Sequence, residues 1–160
     1  MTKKDPLLWL IVERLQEKLG TLEKAAHASH LEATHESSKA ESKYDTRGLE
    51  AAYLAGGQAR QAREIVDSIK LYRELQTRNF TRNDPIDLTA LVTVDADGTR
   101  STYFIGPKSG GLEIDYEGQE IVVITPQSPL GQNLMGKKEG QRWTTKLGGS
   151  TVKYQIAAVS

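Results

Sequence analysis

Asp5–Ala26 reads DPLLWLIVERLQEKLGTLEKAA, and its spacing decides the first half of the fold. Apolar residues fall at Leu8, Val12, Leu15, Leu19, Leu22 and Ala26, in steps of 4-3-4-3-4. That is a heptad seam, the pattern of a helix that buries one narrow stripe. Asp5-Pro6 suits its start, with a capping carboxylate and then a proline at the first helical position. A second seam runs Ala52, Ala55, Ala59, Ala62, Val66 and Ile69, in steps of 3-4-3-4-3. The position pairs 12/69, 15/66, 19/62, 22/59 and 26/55 share one constant sum. A chain folding back on itself therefore sets Leu15 against Val66, Leu19 against Ala62 and Leu22 against Ala59. Large against small is what close helix packing requires. The reading is a monomeric antiparallel hairpin over residues 7–76 that turns between Glu36 and Asp45. Two helices pairing between chains are the alternative, and the constant sum and the polar insert weigh against it. At the α-helical rise, an arm of roughly 30 residues is about 45 Å long. Gly56-Gly57 interrupts the second seam and marks a bend or a close approach.

Working outward, the style changes near residue 80. Up to Arg78 the chain has one proline and is rich in Ala, Leu, Glu and Lys. From Asn83 onward come Pro85, Pro107, Pro126, Pro129 and ten glycines, among short runs of Val, Ile, Thr and Tyr. Strands are expected over Asp87–Asp95 and Thr99–Ile105 around the Asp97-Gly98 turn. Further strands are expected over Gln119–Thr125, and over Gln141–Leu147 and Ser150–Val159 around Gly148-Gly149. Ser128-Pro129 opens a short helix over Leu130–Met135, closed by Gly136. The fold class is α+β: a long antiparallel helical hairpin over residues 1–80, then a small antiparallel sheet domain with one short helix over residues 81–160. Trp9 exceeds what a two-helix seam can cover, and it is expected to pack against the second domain.

The 160 residues carry 21 Lys+Arg and 21 Asp+Glu, a formal net charge of zero. The halves split as 13 basic to 12 acidic and 8 to 9, so neither is a basic module for naked nucleic acid. With no cysteine, disulfides, thiolate metal sites and cysteine nucleophiles are excluded. Lys3-Lys4 ahead of Leu7–Val12 imitates a signal peptide, but the apolar run stops after six residues at Glu13-Arg14. No stretch approaches a membrane span of roughly 20 apolar residues. The expected location is the cytoplasm.

The stretch Ser128–Gly140, SPLGQNLMGKKEG, with Thr125-Pro126 just upstream and a hairpin finishing the chain, resembles the most characteristic segment of the bacterial GreA/GreB elongation factors. An N-terminal antiparallel coiled coil followed by an FKBP-like domain is that family's architecture. The resemblance implies a partner, core RNA polymerase: the C-terminal domain grips the rim of the secondary channel and the hairpin tip enters it. Ser128, Pro129, Leu130, Lys137 and Lys138 are the implied polymerase-binding residues. Contact with nucleic acid would be indirect, through the elongation complex, with no membrane involved. The resemblance also implies that the factor is no enzyme itself and holds no tight cofactor. Tip carboxylates in such factors help hold an Mg²⁺ shared with the polymerase, which then cleaves its own backtracked RNA.

At the tip this sequence departs from the pattern. The family's tip resembles Gly-Asp-Leu-Lys-Glu-Asn-Ala-Glu-Tyr. Anchored on Lys39 and Tyr44, its two functional carboxylates fall here on Ser37 and Ala40. Glu36 and Glu41 each lie one residue away, and Asp45 lies one turn beyond Glu41. These three are the candidate catalytic carboxylates, with Glu41 and Glu36 the candidate Mg²⁺ ligands. One residue of shift turns a helical side chain by about 100°. The expectation is channel occupancy with weak or no stimulation of cleavage, and the alternative is an active cleavage factor using Glu36 and Glu41. An FKBP-like peptidyl-prolyl isomerase or chaperone is the alternative from another class. It lacks aromatics, since Tyr103, Phe104, Tyr116, Trp143 and Tyr154 are all this half offers after Phe80.

His27, His30 and His35 lie on the distal first helix, His27 and His30 at i,i+3 with Glu23 and Thr34 nearby. They read as surface histidines rather than a metal site. Lys137, Lys138, Arg142, Lys146 and Lys153 concentrate charge in the last 24 residues, as a solvated strand face or as a patch for an acidic partner.

Overall fold

Helix α1 spans Asp5–Glu36, about 48 Å at the α-helical rise, and α2 spans Gln58–Glu74. Six strands follow: β1 Leu91–Ala96, β2 Thr99–Ile105, β3 Glu113–Tyr116, β4 Gln119–Ile124, β5 Arg142–Leu147 and β6 Ser150–Val159. A short helix α3, Pro129–Leu134, sits between β4 and β5. The structure, a computed structural model, describes residues 2–36 and 57–160, and of residues 29–36 only the helical backbone. The fold class is the one read from the sequence. The expected turn between Glu36 and Asp45 lies outside the described residues.

The chain divides into two compact units, Met1–Ile11 with Glu74–Ser160, and Val12–Arg73. This differs from a boundary at residue 80, because the first turns of α1 go with the sheet. Their attachment is polar as well as apolar. Lys4 donates from Nζ to the main-chain oxygens of Thr89 (2.8 Å) and Ser160 (2.9 Å). Asp5 accepts from Thr77 Oγ1 at 2.6 Å and from the Thr2 N–H at 2.8 Å. These hydrogen bonds, Thr77's first, hold its carboxyl below the usual range. Asp5 is thus not the cap. It is the first helical residue, and it closes the turn ahead of the helix: Thr2 Oγ1 accepts from the Lys4 N–H at 3.3 Å while the Thr2 N–H donates to Asp5, a reciprocal pairing like that of a capping box. Leu7, Leu8 and Ile11 are buried.

The expectation for Trp9 is overturned, since it stands 65% exposed. At 100° per residue, Leu7, Leu8, Ile11 and Leu15 occupy one arc of the helix, and Trp9 points well outside it.

In the unit Val12–Arg73, α1 buries Leu15 and Ala26 and half-buries Val12, Leu19 and Leu22, as the heptad required. On α2 the seam is rotated from the expected one. Ser68, Ile69 and Tyr72 are buried and Ile65 is half-buried, whereas Val66 is 50% exposed. The buried arc runs through 65, 69 and 72, and Val66 falls past its edge, so it is not the partner of Leu15.

The six strands form one sheet in the order β3-β4-β2-β1-β6-β5. Four of its pairings are antiparallel, and β2 runs parallel to β4, with Thr102 beside Ile121 and Ile105 beside Ile124. The sheet is therefore mixed, where a wholly antiparallel one was expected. The cause is β3, which the sequence reading left as connection. After β2 the chain passes one position over, forms β3, and returns through Glu117-Gly118 (φ 54° and 74°) as β4 in the gap. One face buries Val92, Val94, Ile105, Ile124 and Ile156 with Phe80, Ile86 and Leu134. The other buries Thr102, Phe104, Ile114, Ile121 and Val123. Among the described residues, no helix is long and apolar enough to cross a membrane.

Candidate interaction site

The sheet unit carries a tightly constrained turn at the start of α3. Ser128 is extended (φ −66°, ψ 155°), and its hydroxyl works in two directions. Oγ accepts from the Gly131 N–H at 3.1 Å and donates to the Thr125 carbonyl at 2.7 Å. Pro129 follows at the first helical position, where a missing N–H costs nothing. The Ser128 carbonyl accepts from Gln132 N–H at 2.8 Å, and Gln132 Nε2 donates to the Gln127 carbonyl at 3.1 Å. This turn has no room for a side chain at its third helical residue. A Cβ on Gly131 would lie 1.9 Å from the Thr125 carbonyl oxygen. Sequence reading took Gly131 as one letter of a motif, and only the close approach reveals why it is glycine.

The far end of α3 is fastened equally well. Gly136, at φ 79°, donates to the Ile86 carbonyl, and Ile86 donates to the Lys137 carbonyl, each at 2.8 Å. Leu134 is fully buried and Leu130 packs half-buried against the same core. Pro129 is exposed. Of the implied contact residues, Ser128, Pro129 and Leu130 are thus contiguous on one rigid turn. Ser128 serves the cap and Leu130 the core, so Pro129 is the one of the three that offers its side chain freely.

Lys137 and Lys138 follow α3 directly. Lys137 is half-buried, donates to the Asn133 carbonyl at 2.5 Å, and lies over the Trp143 ring with Nζ 5.2 Å from its centroid. Trp143 in turn stacks on Tyr154, centroids 5.0 Å apart and planes 9° from parallel. Lys138 is exposed, and its main chain is braced by Gln141, whose Oε1 accepts from the Lys138 N–H at 2.6 Å. The two cations differ in kind: one is pinned on an aromatic shelf, the other free to meet solvent or a partner.

The tip carboxylates stand otherwise. Glu36 ends α1, and its side chain, with Ser37, Ala40, Glu41 and Asp45, lies outside the described residues. The same holds for the side chains of His30 and His35. Among the described residues, no group of three or more His, Asp or Glu is arranged to hold a metal ion.

A residue the sequence reading passed over is Lys4. It is buried, 4% exposed, between the Thr89 and Ser160 oxygens, with its ammonium 4.7 Å from the Phe80 ring centroid. Burial foremost, and then the charge of Arg78, push its pKa from 10.5 down to about 8, against the opposing pull of Asp5.

A long helix and a second helix, followed by a mixed sheet whose short helix opens on a capped Ser-Pro turn, define a two-unit α+β protein. Residues 81–160 match the family described as "Transcription elongation factor, GreA/GreB, C-term". The chain belongs to the GreA/GreB family. Among solved structures it is similar to GreA factor homolog 1 (Gfh1) of Thermus thermophilus: 18% identity, covering 98% of this chain and 94% of that one, TM-score 0.36. It is similar also to Thermus aquaticus Gfh1, at 20% identity over 92% of each chain and a TM-score of 0.38. A prokaryotic transcription elongation factor GreA/GreB from Nitrosomonas europaea shares 16% identity over 60% of this chain and 78% of that one, TM-score 0.33. No curated protein matches the sequence.

Proposed function

We propose that this chain is a cytoplasmic regulator of transcription elongation that binds core RNA polymerase, with the Ser128–Leu130 turn and Lys138 at the channel rim and the tip of the helical unit inside the secondary channel. The observation that carries the reading is the family match over residues 81–160, which contains the turn. The turn suits docking because it is preorganised: two hydroxyl hydrogen bonds, a proline and a compulsory glycine fix it before a partner arrives.

The proposed mode is occupancy with weak or no stimulation of cleavage. Ser37 and Ala40 stand where the family resemblance carries carboxylates, and a hydroxyl and a methyl bring no negative charge to a dication. Glu41, then Glu36, then Asp45 are the residues to suspect if cleavage is found.

The test has two arms. Full-length protein co-elutes with core polymerase, and Pro129→Glu, on an exposed side chain, abolishes co-elution while its circular dichroism stays native. Leu130 is a poor probe because it also packs against the core. Unchanged affinity of Pro129→Glu moves the contact elsewhere. In the second arm, a stalled, backtracked elongation complex with end-labelled RNA shows little added cleavage with the natural chain and a large increase with Ser37→Asp/Ala40→Glu. Robust cleavage by the natural chain that is lost in Glu41→Ala overturns the occupancy mode and assigns a shifted acidic site.

A further inference from the structure

Strand β5 forms one border of the sheet and, among the described residues, is paired only with β6. Its register sets Arg142 opposite Gln155, and the residue before it, Gln141, accepts at its carbonyl from the Ile156 N–H at 2.9 Å. Bonded and non-bonded positions alternate along an antiparallel ladder. Trp143, Thr145 and Leu147 are therefore the positions bonded to β6. The N–H and C=O groups of Arg142, Thr144 and Lys146 point out of the sheet. The alternation of the pleat puts these same three side chains on one face.

That face is basic. Lys153 lies directly across from Thr144 in the register, between Arg142 and Lys146. From Gln141 to Ser160 the sequence holds three cations and no Asp or Glu. Among the described residues none of the three side chains is in an ion pair, and the carboxylates beside the hairpin are engaged elsewhere: Asp97 accepts from the Lys153 main-chain N–H at 3.0 Å, Glu139 accepts from the Val159 N–H at 3.4 Å, and Asp95, in register with Gln155, pairs with Arg100 at 3.5 Å. On the opposite face, Trp143 stacks on Tyr154 and Leu147 stands 56% exposed. The other border strand, β3, carries Glu113 and Asp115, both exposed. Like charges set against each other disfavour pairing of β5 with a second β5.

We infer that β5 is a docking edge for an extended acidic segment of a protein partner, which adds to the sheet as a seventh strand. The register dictates its chemistry. Carboxylates four residues apart meet Lys146 and Arg142, a small polar residue between them meets Thr144, and the two alternate positions, opposite Trp143 and Thr145, are apolar to cover the Trp143 ring. Outward main-chain groups supply the affinity, and the cations select an acidic strand over a basic one. This surface lies on the edge strand, apart from the Ser128–Leu130 turn, and stands whether or not the polymerase reading does.

The experiment uses full-length ¹⁵N-labelled protein and two synthetic probes, Ac-Gly-Glu-Val-Thr-Val-Glu-Gly-NH₂ and its Lys-for-Glu counterpart. The acidic peptide is expected to shift and protect from hydrogen exchange the amides of Arg142, Thr144 and Lys146, to weaken with added salt, and to bind at least tenfold tighter than the basic one. Thr144→Pro removes an outward N–H without touching the β5–β6 ladder and is expected to abolish binding. Lys146→Glu is expected to remove the preference for the acidic probe, and it decides the matter should the proline variant not fold. Equal binding of the two peptides, shifts confined to another strand, or protection of the same amides by concentration-dependent self-association overturns the inference.

Discussion

Replacing Lys4 by methionine separates the two effects that a buried ammonium has on stability. At neutral pH the substitution removes the bonds to the Thr89 and Ser160 oxygens. Ser160 still accepts from the Leu91 N–H at 2.9 Å, so the orphaned group is the Thr89 carbonyl, a loss of about 1–3 kcal/mol. The second effect depends on pH. The Lys4 pKa is about 8 in the folded protein against an ordinary 10.5. Between these values the unfolded chain holds a proton that the folded one lacks, so raising pH stabilises the folded state. Below about pH 8 both states are protonated and the cost of burying the charge is fully present. By pH 10.5 most of it is relieved, a change of at most about 3 kcal/mol. Other titrating groups, Tyr116 among them, are common to both proteins and cancel in the difference. Urea unfolding of the natural chain and Lys4→Met at pH 7.5, 8.5, 9.5 and 10.5 reads the gap directly. Trp9 and Trp143 both belong to this unit and report its unfolding. The gap is expected to widen steadily by up to about 3 kcal/mol in favour of the natural chain. A gap that stays flat across this range would falsify the burial of a charged Lys4.

Three further outcomes follow from the packing. Val66→Ser on α2 is expected to change stability by less than about 0.5 kcal/mol, while Ile69→Ala loses about 2–5 kcal/mol; equal losses in thermal unfolding would restore Val66 to the seam. Gly131→Ala drives a Cβ into the Thr125 carbonyl and is expected to cost about 3 kcal/mol or more, seen as a lowered urea midpoint with polymerase binding lost in parallel. A chain with cysteines at 19 and 62, both half-buried positions, is expected to crosslink within itself under dilute oxidising conditions; crosslinks found only between chains would refute the hairpin.

Most of the architecture was legible because the two halves are written in different periods. The heptad of α1 needs no tertiary information, and the stretch Ser128–Gly136 carries its own cap and stop. What escaped depended on distance rather than pattern. On α2, Ile65 and Val66 are both apolar and adjacent, and the sequence spacing fits either; only the buried arc through Ile69 and Tyr72 chooses. β3 escaped because EIDY is four residues long with two acids, and it becomes a strand by filling an edge beside β4. Lys4 escaped because a lysine beside a lysine near the start of a chain reads as solvated. Its burial follows from two main-chain oxygens, those of Thr89 and Ser160, that lie 85 and 156 residues away. At the candidate site, the motif gave the location of the turn. It did not tell that Leu130 and Lys137 are partly committed to the core and to Trp143, which leaves Pro129 and Lys138 as the free surface.

The division of the chain also changes what can be cut. A fragment of residues 81–160 contains every strand, and the sequence alone suggests that it folds and binds by itself. The structure counts the first eleven residues in the sheet unit. Leu7 and Ile11 are fully buried and Leu8 nearly so, and at about 1.5–3 kcal/mol per side chain their removal withdraws roughly 4.5–9 kcal/mol. That is as large as the whole stability of many small domains. The Thr89 carbonyl loses Lys4, and Thr77, which ties Asp5 to this unit, is absent from the fragment as well. The 81–160 fragment is therefore expected to be largely unfolded at 25 °C, with broad thermal transitions and collapsed amide dispersion. A single chain joining residues 1–11 through a short flexible linker to 74–160 is expected to recover a cooperative transition, because it restores the buried leucines and the Lys4 bonds together. Introducing Leu7→Ala and Ile11→Ala into that chain should abolish the recovery. An 81–160 fragment as stable as the full-length sheet unit would show that the first turns of α1 lie on a surface that folds without them.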